Sequence, residues 1–421
     1  MSSLTKRKAS TDHSSAKIAW TNENNRSTDD ITTTMYWYII TMSWFGLLYP
    51  FEIFKDGPKE QLLSKTKLPR CRKTVMHFGF CFSLAFLLGM NCVRATVGIF
   101  VGDFLDLTRN FKLVHATWVI LCFVNSASLL YVSYKPEGLR AFFDQWNKSR
   151  KYAFLHFGFK TNGRKINMKV IVYLTIAFIL VVFNIVSVGT IMFGGFGFAS
   201  DSFSLVFSAP FKPTTTVKVF VHLLNVINGI AWIFPVIFFV LLCSTLKDDL
   251  ETYNTFLNKQ TKDNKGKIGQ NLTQFRIMHL ELCKTINSLD SSFSWLLFTW
   301  FVLNIGNGCF IAFLLLNTSY DIFGTSVLVF WLIASCVYIG ATSISAAILQ
   351  EKAHAPLEYL YDIDVNDIKP EDQPQLYLFL SKLTSSSVGL TAFGLVTITK
   401  ELLLTLAGLY LTYFFLLLQF R

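Results

Sequence analysis

The chain alternates long apolar runs with polar segments. Seven runs stand out: Val75–Phe100, Val114–Tyr134, Val170–Phe193, Val217–Leu246, Phe293–Leu316, Thr325–Leu349 and Leu390–Phe420. A helix of about 20 apolar residues crosses the hydrocarbon core of a bilayer, so each run predicts one membrane span. An earlier stretch, Tyr36 to Phe51, is apolar but only sixteen residues long, and Pro50 ends it. That is short for a span and predicts a re-entrant or interfacial helix. Met1 to Thr34 is rich in Ser, Thr, Asn, Lys and Asp, which predicts disorder.

Several polar segments carry an apolar stripe of their own. Leu246, Leu250, Tyr253 and Leu257 continue helical spacing past the fourth run. Phe275, Met278, Leu282, Ile286 and Leu289 lead into the fifth, and Leu376, Phe379, Leu380 and Leu383 precede the last. Amphipathic helices of this kind need a partner surface. The membrane, one another and a neighbouring subunit all qualify.

Composition agrees with the pattern. The chain is 52% hydrophobic, 16% aromatic and 15% charged, whereas soluble domains run nearer a quarter charged. The fold class is therefore an all-α membrane protein with seven transmembrane helices. A net charge of +11 would suit nucleic acid, but the apolar content excludes that partner. The basic residues are topology signals instead: 31 of the 38 lie in residues 1–74, 135–169, 247–292 and 350–389. The positive-inside rule places these segments in the cytoplasm, with the N-terminus inside and the C-terminus outside. The orientation is the reverse of that of G-protein-coupled receptors. The acidic stretch 350–372 reads as a solvated face pairing with basic neighbours, or as a cation-attracting surface. The external segment 194–216, with GGFGF and then Pro210 and Pro213, reads as a flexible loop over the outer mouth.

No residues assemble catalytic chemistry. The seven histidines are scattered with no HExxH, the eight cysteines show no CxxC spacing, and there is no GxSxG or P-loop. No enzyme, cofactor or metal site is predicted. Polar and aromatic residues inside the outer halves of the spans stand out instead. They are Trp118 and Asn125, then Asn184, then His222, Asn225, Asn228 and Trp232 on one face, and Trp331, Ser335 and Tyr338. Pro235 predicts a kink below the fourth-span set. Interhelical hydrogen bonding explains each polar residue singly. As a group at one depth, they predict a pocket with aromatic walls and a few amides, suited to a small amphipathic ligand. Asn304 and Asn307, near one turn apart in the fifth run, either couple this bundle to the last helix or pack between helices.

The last run holds a polar set. Thr412 and Gln419 are seven residues apart, as are Tyr413 and Phe420, so all four share one stripe with Leu409 and Leu416. A stripe holding a Gln in a membrane helix faces protein or water. The ending TYFFLLLQF resembles the C-terminal pattern of the insect gustatory receptor family, in the insect chemoreceptor superfamily: Thr-Tyr, five apolar residues, Gln-Phe. With the span count, the inverted topology and the helical cytoplasmic segments, the resemblance covers residues from about 35 to 421.

The resemblance implies a tastant-gated, non-selective cation channel in the plasma membrane of a sensory neuron. It further implies a tetramer in lipid, homomeric or shared with other gustatory receptors, opened by a small-molecule tastant. On that reading the chain divides into a disordered cytoplasmic N-terminus (1–34), a re-entrant or interfacial segment and linker (35–74), and a six-helix ligand-binding bundle with cytoplasmic extensions (75–349). A cytoplasmic anchor segment (350–389) and a pore-lining last helix (390–421) follow. Gln419, Phe420 and Leu416 would form the pore and gate, while Thr412 and Tyr413 pack against neighbouring helices. The sugar-receptor branch of the family carries Glu directly after Thr-Tyr, and here that position is Phe414. A bitter or plant-derived compound is therefore the expected ligand, with a fructose- or sugar-type receptor as the alternative. A solute transporter is the rival from another class, but the two halves show no repeat of the kind that would support it.

Overall fold

The computed structural model describes residues 30–54, 70–101, 108–160, 162–194, 197–263, 272–317, 322–363, 368–370, 372–385 and 388–419. Three short helices come first: α1 (Ile31–Thr34), α2 (Tyr36–Trp44) and α3 (Pro50–Ile53). Then follow α4 (Arg70–Phe100), α5 (Thr108–Tyr134), α6 (Ala141–Phe157), α7 (Gly163–Phe193), α8 (Gly197–Ser208) and α9 (Thr215–Asp263). The chain closes with α10 (Leu272–Asn317), α11 (Ile322–His354), α12 (Pro356–Tyr361), α13 (Gln373–Ser385), a two-stranded hairpin and α14 (Lys400–Gln419). Helices α4, α5, α7, α9, α10 and α11 are each long and apolar enough to cross a membrane.

The core forms around α9. It packs against α7, α5 and α11, and α10 lies against α5, α6 and α11. Pro235 sits inside α9 and has no N–H, so the Ala231 carbonyl one turn back loses its helical donor. Asn125 of α5 replaces that donor: its Nδ2 donates to the Ala231 oxygen at 3.0 Å. The Trp300 indole N–H of α10 donates to Asn125 Oδ1 at 2.7 Å, and Nδ2 also lies 3.4 Å from the Tyr338 hydroxyl of α11. One fully buried amide thus joins four helices at the point where the fourth breaks its own ladder.

Helix α9 is 49 residues long and α10 is 46. At 1.5 Å per residue each is about 70 Å long, more than twice the ~30 Å core of a bilayer. The excess carries the stripes seen in the sequence. Leu250, Tyr253 and Leu257 pack with Phe275, Met278, Leu282 and Ile286, all at most 3% exposed. The Tyr253 hydroxyl donates to the Phe275 carbonyl at 3.0 Å. Asn254 Nδ2 donates to the Lys352 carbonyl at 2.8 Å, drawing the end of α11 in. Leu376, Phe379 and Leu383 of α13 complete this second core. The stripes therefore partner one another within a single chain.

Three expectations change, and the non-spanning segment 36–51 gains detail. Residues 31–34 are helical rather than disordered, because Asp30 caps α1 and the Ile31 N–H donates to Asn147 Oδ1 at 2.9 Å; residues 1–29 lie outside the described residues. The apolar segment 36–51 is broken into α2 and α3 by a turn at Gly46 (φ 67°), which brings the chain close against Leu84. Tyr38, Ile39 and Met42 are wholly buried, and Tyr38 stacks on Phe238, so this segment enters the bundle without crossing it. Segment 197–208 is helix α8, with Phe203, Val206 and Phe207 buried, rather than a loop. The last apolar run is not one helix. Residues 391–397 form an antiparallel hairpin, Thr391 opposite Thr397, turning through Phe393 and Gly394 at positive φ. Asp290 of α10 holds it, accepting from the Thr391 N–H and hydroxyl, and α14 begins only at Lys400.

Candidate functional site

At the end of the bundle away from the long extensions, a cavity of about 40 Å³ lies between α5, α7, α8, α9, α10 and α11. Five of the residues picked out from the sequence line it: Trp118, Asn184, Trp232, Trp331 and Ser335. Five more were not foreseen: Val114, His115, Val188, Phe207 and Asn307.

Its walls are aromatic. Trp331 stacks on Phe111 at 5.7 Å between ring centroids and meets Phe203 and Phe207 of α8 edge-on. Phe207 meets His115 edge-on at 4.6 Å. Trp118 and Trp232 form a perpendicular pair, and Tyr338 lies flat on Trp232. Arg94 of α4 fixes this wall: its Nη1 donates to the Phe207 carbonyl at 2.8 Å and to the Ala209 carbonyl at 2.6 Å.

Polar atoms in the lining are left without partners among the described residues. Both ring nitrogens of His115, Oδ1 of Asn184 and Nε1 of Trp232 are buried and unbonded. A Cβ at Gly229 would sit 2.6 Å from Asn184 Oδ1, so only glycine lets that amide enter between α7 and α9. Asn307 is engaged, accepting from the Thr117 hydroxyl at 3.1 Å.

The other predicted residues lie elsewhere. Asn125 and Tyr338 belong to the buried junction beneath the cavity. Asn228 Nδ2 donates to Asn225 Oδ1 at 3.3 Å on a face of α9 outside the lining. His222 packs edge-on against Phe193 and over Gly189. His115 was legible only as one of several scattered histidines, since one spacing cannot show which ring the fold buries. Phe207 and Phe203 were hidden in a segment read as loop.

The model of the trehalose receptor family matches residues 163–421, more than half of the chain. The chain belongs to this insect gustatory receptor family. The matched part carries Asn184, Trp232, Asn307, Trp331 and α14, while Val114, His115 and Trp118 lie before it. Among solved structures, the insect olfactory receptor OR5 from Machilis hrabei in complex with eugenol is similar, with a TM-score of 0.69 and 16% identity over 93% of this chain and 100% of that one. A second structure of that receptor gives 0.66 and 14% over the same shares. The insect chemoreceptor fold is thus present at low sequence identity. No curated protein sequence matches.

In this family member the last helix is tied to the helix that lines the cavity. The Tyr410 hydroxyl of α14 donates to the Asn304 carbonyl of α10 at 3.2 Å, and the Tyr413 hydroxyl lies 3.5 Å from the Cys309 carbonyl. Gly308 admits the Tyr410 ring, since a Cβ there would lie 3.0 Å from its hydroxyl. Asn307, which faces the cavity, is one turn from Asn304. The Thr412 hydroxyl donates to the Gly408 carbonyl of its own helix. Leu416 and Gln419 are exposed, and Phe420 lies outside the described residues.

Proposed function

We propose that this gustatory receptor is a tastant-gated, non-selective cation channel, and not an enzyme. Its ligand is a small aromatic compound of the bitter or plant-derived kind, held in the cavity between α5 and α11. One observation carries the reading: unpaired buried donors and acceptors on His115, Asn184 and Trp232 sit in a wall of aromatic rings. Buried polar groups demand partners, and a ligand that enters this wall supplies them. Ring faces suit an aromatic ligand, and eugenol, bound by the similar olfactory receptor, is of this type. Drug-sized pockets measure about 300–1,000 Å³, so the wall must part to admit a ligand.

Opening would pass from Asn307 through the Asn304 carbonyl to Tyr410, and so to α14. In the proposed assembly, four copies, alike or mixed with other gustatory receptors, meet around α14, with Leu416, Gln419 and Phe420 at the mouth. The N-terminus lies in the cytoplasm of a sensory neuron and the C-terminus outside its plasma membrane. A sugar-type receptor is the second reading, favoured by the family's description as trehalose receptors.

The test is whole-cell recording from cells expressing this chain. Phenolic plant compounds should evoke a current that reverses near zero in mixed Na⁺ and K⁺, while trehalose and fructose stay silent. Sugar-evoked current with silent aromatics would reverse the ligand assignment. Saturable solute flux without such a current would replace the channel by a transporter.

A further inference from the structure

A second cavity, of about 210 Å³, lies at the opposite end of the bundle, where α6, α7, α9 and α10 meet. Its polar wall is formed by Ser149 and Arg150 of α6, Lys160 in the connection to α7, Lys165 of α7, and Asp248 and Asp249 of α9. These residues stand just beyond the apolar runs 170–193 and 217–246, where membrane gives way to water.

The two carboxylates are already engaged. Asp249 takes a forked pair from Arg150, Nε to Oδ2 at 2.9 Å and Nη2 to Oδ1 at 3.1 Å, and the Trp146 indole N–H at 2.7 Å. Asp248 takes Lys165 and Lys169, each at 2.9 Å. Burial alone would push the Asp248 carboxyl up, but the two lysines outweigh it and hold it below the ordinary carboxylate range. It stays ionised and spoken for. Counting Lys169, four cations face two carboxylates, and Lys160 forms no ion pair among the described residues. Two donors are also left over. Among the described residues, Arg150 Nη1 and the Ser149 hydroxyl have no partner, on residues 7% and 0% exposed.

A fixed guanidinium edge, a hydroxyl and surplus lysine charge form a donor set that matches the several oxygens and double charge of a phosphate monoester. We propose that this cavity binds a phosphate monoester, with Lys160 and Lys165 at its mouth and Arg150 and Ser149 at its base. The monoester comes either from a phosphorylated inositol lipid of the adjoining leaflet or from a soluble inositol phosphate. Given the proposed orientation, that leaflet is the cytoplasmic one. Helices α7 and α9 run from this cavity to Asn184 and Trp232, so its occupant braces the same helices that bear the tastant wall.

The experiment uses the purified full-length receptor in nanodiscs and reads thermal stability and bound lipid by native mass spectrometry. One arm compares phosphatidylinositol 4-phosphate with phosphatidylserine at equal total charge. The other titrates inositol 1,4,5-trisphosphate onto receptor in neutral nanodiscs. The expected result is saturable, stabilising binding of the monoester and none of phosphatidylserine beyond its charge effect. The double variant Lys160→Gln/Lys165→Gln should weaken that binding about tenfold, as loss of two exposed, solvent-screened ion pairs implies. Arg150→Lys, which keeps charge and loses the fork, should weaken it as well. Because Arg150 also holds Asp249, the lysine pair on the exposed rim keeps the test decisive if that variant fails to fold. Binding in the lipid arm alone assigns the headgroup, and binding in the soluble arm assigns the free ester. Equal binding of phosphatidylserine, no binding in either arm, or binding untouched by the double lysine variant overturns the proposal. None of these readouts depends on tastant response.

Discussion

Helices α9 and α14 both carry long apolar runs, that of α14 uncharged from Leu402 to Leu418, yet they end in opposite surroundings. In α9, Phe234, Phe238, Phe239, Leu241, Leu242 and Leu246 are all 0% exposed. In α14 no described side chain is buried, and Leu404, Leu411 and Phe415 are 72%, 58% and 59% exposed. Only the face with Leu402, Leu406, Tyr410 and Tyr413 leans on the rest of the chain. Hydrophobicity drives both helices into a membrane but does not select their neighbours. The neighbours of α9 are in its own chain. The open face of α14 carries Thr412 and Gln419, and a Gln gains nothing from lipid. The contrast assigns fold stability to α9 and leaves α14 available for other subunits.

The sharpest way to break that contrast is Asn125→Ala. It strips the donor from the Ala231 carbonyl and the acceptor from the Trp300 indole, two buried groups at about 1–3 kcal/mol each. We expect loss of most folded receptor, read by fluorescence-detected size exclusion and thermal shift. An Asn125→Ala receptor as stable as wild type would mean that the junction does not hold α9. Next comes Trp331→Ala, which removes the ring facing Phe111, Phe203 and Phe207. Loss of such a wall costs about 1–3 kcal/mol, or roughly 5- to 150-fold in agonist potency, at normal surface expression. Unshifted dose–response curves for every active compound would place the ligand elsewhere.

The sequence carried the helices better than the hydrogen bonds between them. Spans could be placed because an apolar run of membrane length has few alternatives, and the stripes at 246–257 and 275–289 because period 3.6 shows a buried face. The role of Asn125 was not legible, since it depends on a carbonyl freed by Pro235, 110 positions away. It sat among pocket candidates because a buried amide looks the same in a junction and in a lining. His115 was passed over for the converse reason. The hairpin at 391–397 was absorbed into the last span because LTAFGLVTI is as apolar as a helix. Only the positive φ at Phe393 and Gly394, and the distant Asp290, separate them.

Tyr410→Phe tests the seam between the two helix types. It removes one hydrogen bond to the Asn304 carbonyl and keeps the ring against Gly308. A net hydrogen bond of about 1 kcal/mol corresponds to a roughly fivefold change in the opening equilibrium. We expect altered maximal current with ligand affinity and thermal stability close to wild type. Equal currents at equal surface level would mean that α14 does not follow α10.

The smallest expected effect on stability, and the most specific on function, lies at Gln419. Its side chain is exposed in a single chain, so Gln419→Ala removes no internal contact and should shift stability by under about 0.5 kcal/mol. If α14 lines an axis shared by four copies, the same change removes a ring of amide oxygens that partly replace the water around a passing cation. An amide carries no fixed charge, so its loss should move the Na⁺/K⁺ permeability ratio modestly and leave agonist potency alone. Leu416→Ala, one turn deeper on the same stripe, widens an apolar constriction and should raise basal current instead. Bi-ionic reversal potentials and leak at matched surface level separate the two. Unchanged ratios in Gln419→Ala together with unchanged leak in Leu416→Ala would take this stripe out of the pore. The open face of α14 would then belong to lipid, and its contrast with α9 would be one of depth in the bundle rather than of assembly.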